Sequence, residues 1–404
     1  MTIEEILQQV KDKNIDLQEA ERLILSLKSK PESPGASTPK ADHETKTEKS
    51  LIDKLVNKDE LKKTVDAFMQ EYLSKDGLKA SIGKLTESFF EGTKANLKVS
   101  EGSMPTGDLK QVFVSSPIGE IEVSRSSDDQ IHYEVWANDV ESWQITPRAK
   151  DNAFHLEAES SLSSRKHMRM GESLFIALSL PQNLKLTVEG KSVSVDASGL
   201  IGDIEIESLS GDVDLENCEG ALSVELASGD IAVENHAGDL YLNTKSGDVS
   251  IAASKVQGKV KTLSGDLELE SSSGNIAFYS LSGDCEVEGF QGKLFVESKS
   301  GDLSTNNVYG DFECKLMSGD IEVENEKPVS EGTYVLYTTS GDVSVNIPAT
   351  SSVAVKLQTV SGDHSIEVPE ERTLPHNNRE ITLGDGKCDV LLRSVSGNVS
   401  LELE

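Results

Sequence analysis

Seven aspartates recur at one spacing. Asp212, Asp230, Asp248, Asp266, Asp284, Asp302 and Asp320 each close a Ser-Gly-Asp triplet, and the interval from each to the next is constant. Carboxylates delivered at a fixed interval suggest calcium, a hard cation that collects oxygen ligands. Nine-residue repeats of the form G-G-x-G-x-D-x-U-x hold calcium in this way. The present repeat lacks the double glycine, and its Asp follows Gly directly. The other chemistry open to Ser and Asp beside a turn glycine is hydrogen bonding to backbone N–H groups that have left a ladder. Stacked like charges repel, so turn hydrogen bonds and solvent must offset them. On the opposite edge of the repeat, Ala221, Lys259, Asn275 and Lys293 interrupt any carboxylate series, which argues against a repeated metal cage. The expectation is therefore no bound metal, and millimolar Ca²⁺ that leaves the melting temperature unchanged.

The remaining reactive residue types form no constellation. The seven histidines, His43, His132, His155, His167, His236, His364 and His376, fit neither metal-ligand nor triad spacing. Cys218, Cys285, Cys314 and Cys388 lack zinc-site spacing. Cys285 and Cys314 fall on inward apolar positions and read as small core residues of a reducing compartment. Acidic pairs on a solenoid face keep a carbohydrate-active β-helix open as an alternative. No catalytic residue, cofactor ligand or metal ligand is assigned, and the chain reads as a non-enzyme. One basic cluster stands out, Arg165-Lys166-His167-Met168-Arg169. It is either a solvated loop or a weak contact for an anionic surface through Arg165, Lys166 and Arg169.

The elements that would position these residues follow from the repeat. A second glycine series, Gly202, Gly220, Gly238, Gly274, Gly292 and Gly310, lies midway between the Ser-Gly-Asp triplets, with Gly258 two residues late. The unit is nine residues long, and two units make a pair. Apolar and polar residues alternate within each unit, as in Val213/Leu215, Ile231/Val233, Leu267/Leu269 and Ile321/Val323, which is the mark of a strand with one buried face. Strands of about four residues cannot bury that face alone, whereas stacked turns form continuous inward ladders. The expected fold is mainly β: a single-stranded parallel β-solenoid of about 18 residues per coil, with a small α-helical N-terminal segment.

Along the chain, residues 1–28 read as a helical hairpin, with Ile3, Ile6, Leu7, Val10, Leu23, Ile24 and Leu27 on its apolar faces. It is too small to fold alone and is expected to bind a protein partner or another copy. Residues 29–49, with Pro31, Pro34, Gly35 and Pro39, read as a flexible linker. Residues 50–92 read as amphipathic helices. Residues 109–404 read as the β-solenoid, most regular over 202–323, with a C-terminal cap over about 366–404. The net charge of −31 excludes nucleic acid as a ligand for the bulk of the chain. No signal peptide is visible, and no apolar run is long enough to span a membrane, so a cytoplasmic location is expected, at most peripheral to the inner membrane face.

The segments "LSGDVDL", "ASGDIAV", "KSGDVSI", "LSGDLEL" and "VSGNVSL", preceded by "LFIALSLPQNLKLTVEG", resemble the bacterial putative-adhesin family of Ser-Gly-Asp-rich β-repeat proteins. "ILQQVKDKNIDLQEAERLILSL" is similar to the SHOCT-like helical hairpin that precedes such domains. The resemblance implies an interaction or scaffold protein, linked in some members to cell-envelope stress. The alternative it leaves is a surface adhesin exported by an unrecognised route.

Overall fold

Turn glycines spaced by alternating residues produce strands in pairs. In the computed structural model, which describes residues 97–160, 173–368 and 379–404, each regular coil contributes one long and one short strand. Ala237–Ser246 leads through Gly247 and Asp248 into Val249–Ala252, and the next coil repeats this with Lys255–Ser264 and Leu267–Glu270. Long strands pair in parallel with long and short with short. Leu222 lies beside Leu240, Leu242 beside Val260, Val260 beside Phe278 and Val296 beside Cys314. The short strands align Val213, Ile231, Val249, Leu267, Cys285, Leu303 and Ile321 in the same way. The result is one long, mainly parallel β-solenoid, in which one coil spans one Ser-Gly-Asp interval. Among the described residues there is no α-helix, only a 3-10 turn at Val140–Ser142. The helical readings for 1–28 and 50–92, and the linker between them, lie outside the described residues.

The interior is built from the inward half of each alternation. Val224, Leu242, Val260, Phe278, Val296 and Cys314 are fully buried, as are Val249, Ile251, Leu269 and Val287 or very nearly so. Each such side chain adds about 1.5–3 kcal/mol by leaving water. The coil is thin, so every residue contacts only its own coil and the two beside it. Cohesion is therefore a sum of neighbouring interfaces.

The coils leave sequence order at both ends. Gln111–Arg125 forms a rung beside Lys185–Ser198, and its other edge is taken by Ala153–Ser160 and Leu174–Leu180. From there the ladder turns antiparallel, through Gln130–Ala137 and Leu97–Pro105 on one strand series and Trp143–Lys150 on the other. At the far end, Gly332–Ser340 pairs with Cys388–Ser396, which in turn pairs with Val353–Ser361. The C-terminal strands thus sit between the two coils that precede them in sequence. The step from Ser318 to its neighbour Ser340 is longer than the regular step from Ser300 to Ser318, and it is the first departure from the period. No described helix is long and apolar enough to cross a membrane.

Candidate functional site

The Ser-Gly-Asp corners run as one edge along the solenoid. Each Asp from Asp212 to Asp342 has a defined partner in the adjoining coil. Asp212 Oδ1 accepts from the Asp230 backbone N–H at 3.0 Å, Asp248 Oδ1 from Asp266 at 2.8 Å, and Asp266 Oδ1 from Asp284 at 2.7 Å. The series continues through Asp302, Asp320 and Asp342 to Asn398. At the corner the chain bends away from its neighbour, and the amide that would be orphaned is capped by a carboxylate one coil back. Charge-assisted bonds of this kind are the stronger class. They offset the repulsion between carboxylates stacked at the ~4.8 Å coil spacing. Among the described residues no group of three or more His, Cys, Asp or Glu side chains is placed to hold a metal ion. The repeated carboxylate is accounted for by the turn itself.

Glycine at this corner is required twice over. Gly265 has φ +157°, and a Cβ there would lie 2.0 Å from the carbonyl oxygen of Gly247 in the preceding coil. Gly258, two residues late in the sequence pattern, reflects a local exchange of roles. Val256 occupies the corner position beside Gly238 and Gly274, while Gly258 takes the inward position held elsewhere by Leu240 and Ile276. The same register moves Lys259, expected on the edge, onto the strand face beside Tyr241 and Ala277.

The thiols are core groups. All four cysteines are free and buried. Burial pushes the Cys285, Cys314 and Cys218 thiols up and that of Cys388 up to about 11, so none supplies a thiolate nucleophile near neutral pH. The described histidines have unrelated surroundings. His132 bonds Asp128 at 2.9 Å, His155 packs 5.4 Å from the Phe113 ring, and His364 accepts from Arg379 at 3.3 Å. His236 is buried at a coil corner with neither ring nitrogen bonded, and that burial lowers its pKa. Arg165, Lys166, His167 and Arg169, like His43 and His376, lie outside the described residues.

The two outward faces of the solenoid differ in chemistry. The regular short strands carry no Lys or Arg. Several of their outward positions stack acid on acid, Glu216 beside Glu234, Glu268 beside Glu286 and Glu270 beside Glu288, and Asp214 stands beside Asp196 of Lys185–Ser198. Burial, and then the neighbouring Asp196, raises the pKa of Asp214.

The outward positions of the long strands instead gather aromatic rings and cations. In one column Tyr241, Lys259, Ala277, Phe295 and Glu313 stand on successive coils, and in the next Lys261, Tyr279, Glu297, Lys315 and Tyr337. The cations lie over the rings. Lys259 Nζ is 4.2 Å from the Tyr279 centroid, Lys315 is 5.2 Å from Phe295, and Arg393 is 5.4 Å from Tyr337. Such contacts attract each cation to the ring face. Tyr279 and Phe295 are themselves 5.5 Å apart. An open groove of about 550 Å³ runs beside Phe295, lined also by Gln257, Gly258, Asn275, Ala277 and Asp311 among others. Reading the repeat for its inward residues passes over this face. Its signal is the residue type at the outward positions, aligned coil by coil.

Fold and surface together define a parallel β-solenoid of the Ser-Gly-Asp repeat type, with one acidic and one aromatic, cationic side. The profile of the Toastrack DUF4097 family matches residues 79–275 and 236–402, and the chain belongs to that family. Among solved structures it is similar to a putative adhesin from Bacteroides fragilis, at 14% identity over 77% of this chain and 100% of that one, with a TM-score of 0.27. It is also similar to a putative cell adhesion protein from Clostridium sporogenes, at 10% identity over 76% and 100% of the two chains and a TM-score of 0.18. A putative lipid binding protein from Parabacteroides distasonis aligns at 9% identity over 77% and 98%, with a TM-score of 0.30. No curated protein matches the sequence.

Proposed function

We propose that the protein is a non-catalytic interaction scaffold that makes contact through the aromatic, cationic outer face of its long strands. The observation that carries this reading is the segregation of side chains. In a chain of net charge −31, cations and rings are drawn onto one face, while the regular short strands carry none of the cations. Aromatic residues and selected cations are the groups that dominate protein contact energies. Membership of a repeat family agrees with a binding role, since solenoids present extended surfaces. In this reading the hairpin at 1–28 joins copies, so that several solenoids engage together with gain in avidity. In this reading the protein works in the cytoplasm, and the family resemblance implies a part in a cell-envelope stress response.

The test reverses charge on the face. Lys259→Glu with Lys315→Glu, in the full-length chain, should abolish the partner crosslinked to the wild-type protein in cells. The melting temperature should stay within a few degrees, because both side chains point outward. An unchanged crosslink from the folded double variant would rule the face out.

A further inference from the structure

The coil order at the C-terminal end leaves a slot that the chain fills last. Gly332–Ser340 and Val343–Ile347 form one wall, and Val353–Ser361 and His364–Glu367 form the other. These coils follow each other in sequence, yet a full rung stands between them. The link from wall to wall, residues 348–352, is fixed to the body on its own account. The Ser352 N–H donates to the Val329 carbonyl at 2.7 Å, and the Ser351 hydroxyl accepts from the Val329 N–H at 3.0 Å. Neither bond involves the rung that sits in the slot.

The occupant of the slot is closely specified. Cys388, Leu392, Val399 and Leu401 are fully buried there. A Cβ at position 397 would lie 1.9 Å from the Gly341 carbonyl oxygen, so the corner requires glycine. Asn398 Oδ1 accepts from the Asp363 N–H at 3.0 Å, and its Nδ2 donates to Asp342 Oδ2 at 3.3 Å. The aspartate that stands at this corner in the coils on either side has no proton to donate to Asp342. The slot therefore fits the Ser-Gly-Asn coil of this chain better than any of its Ser-Gly-Asp coils. The tether to that coil is Leu383-Gly384-Asp385-Gly386-Lys387, with its glycines at φ +60° and +62°. Its fastening is exposed: Asp385 accepts from the Ser352 hydroxyl and pairs with Lys387 at 2.9 Å. Exposed pairs of this kind hold weakly.

We propose that residues 388–404 are an exchangeable rung, and that two copies of the chain join by seating each C-terminal coil in the other's slot. Every contact between rung and walls is kept in the exchanged pair, and only the tether changes its path. Exchange of an identical element is a low-cost route to a closed dimer. It places two solenoids in one assembly, whichever face makes their outside contacts.

Ser344 and Ser400 stand side by side on wall and rung, with their hydroxyls 3.1 Å apart, close enough for a disulfide between cysteines. Full-length Ser344→Cys is mixed with full-length Ser400→Cys, and the two are unfolded, refolded together and oxidised. In an unexchanged chain neither new thiol has a partner, since all four native cysteines are buried. In an exchanged pair the new thiols meet. A denaturing gel without reductant, which removes all non-covalent association, should show a covalent dimer whose yield rises with protein concentration during refolding. Asp385→Ala in both copies should raise that yield several-fold. Asn346→Cys mixed with Glu402→Cys, on the same wall and rung, should behave alike, and this pair decides if the first does not regain the wild-type melting temperature. Ala232→Cys mixed with Ser250→Cys, neighbours within the body, should give no dimer. Absence of dimer from the rung pairs at every concentration overturns the proposal, and so does an equal yield from the body pair.

Discussion

Asp266 illustrates what the repeated carboxylate does. Its Oδ1 caps the Asp284 amide, and its own amide is capped by Asp248. What the bond needs is an acceptor oxygen rather than a charge, and the chain itself contains the substitution: Asn398 Oδ1 accepts from the Asp363 N–H at 3.0 Å. Asp266→Ala should therefore lower stability by about 1 kcal/mol, the worth of a solvent-exposed capping bond. Asp266→Asn should stay within about 0.5 kcal/mol of wild type, and at low salt it should rise above it as one repulsion is removed. Urea midpoints of both variants at two salt concentrations check this. Equal losses for Ala and Asn would mean that the charge itself is required. At the neighbouring residue, Gly265→Val imposes a β-branched side chain at φ +157° and drives its Cβ into the Gly247 carbonyl. A cost of about 3 kcal/mol or more is expected, read as a lower melting temperature. An unchanged value would contradict the corner geometry. The need for glycine at these corners was legible from spacing alone. That the Asp bonds the next coil rather than its own turn was not, because a bond between residues a full coil apart leaves no local pattern.

At the scale of elements, the paired strands and their period follow from alternation and turn residues, and the inward ladders at Val213, Ile231 and Val249 are those that the alternation picks out. The order of the end coils does not follow. A parallel rung needs only matching apolar residues and a length of chain to reach it. "VSGNVSL" therefore fits equally well as the last coil or as the one before it. The structure places it inside, with Val399 between Val343 and His364. The C-terminal strands thereby lock Val353–Glu367 to the body, and they cover an edge that would otherwise be open to other chains. Removing residues 388–404 should expose Gly332–Ser340 and strand Val353–Ser361 without its parallel partner. Hydrogen exchange of 332–340 and 353–361 should then accelerate by orders of magnitude, and the shortened protein should associate through the bared edge. Protection retained at both segments would contradict the inserted order.

Across the whole molecule, the proposed contact rests on a difference between sides rather than on a cluster of reactive groups. The charge of −31 was visible at once, but it is an average over two unlike faces. Separating them requires knowing that Tyr241, Lys259 and Phe295 share one column while Glu268 and Glu286 share another, and the late Gly258 obscures that alignment. The central claim is that contact is made through the long-strand face, and site-specific photocrosslinking in cells tests it most directly. A photoreactive phenylalanine analogue would replace Tyr279 or Phe295 on that face, or Glu268 or Glu286 on the acidic one, in the full-length protein. The account predicts discrete adducts from positions 279 and 295 and none from 268 and 286. Adducts confined to 268 and 286, or equal labelling from all four positions, would contradict it.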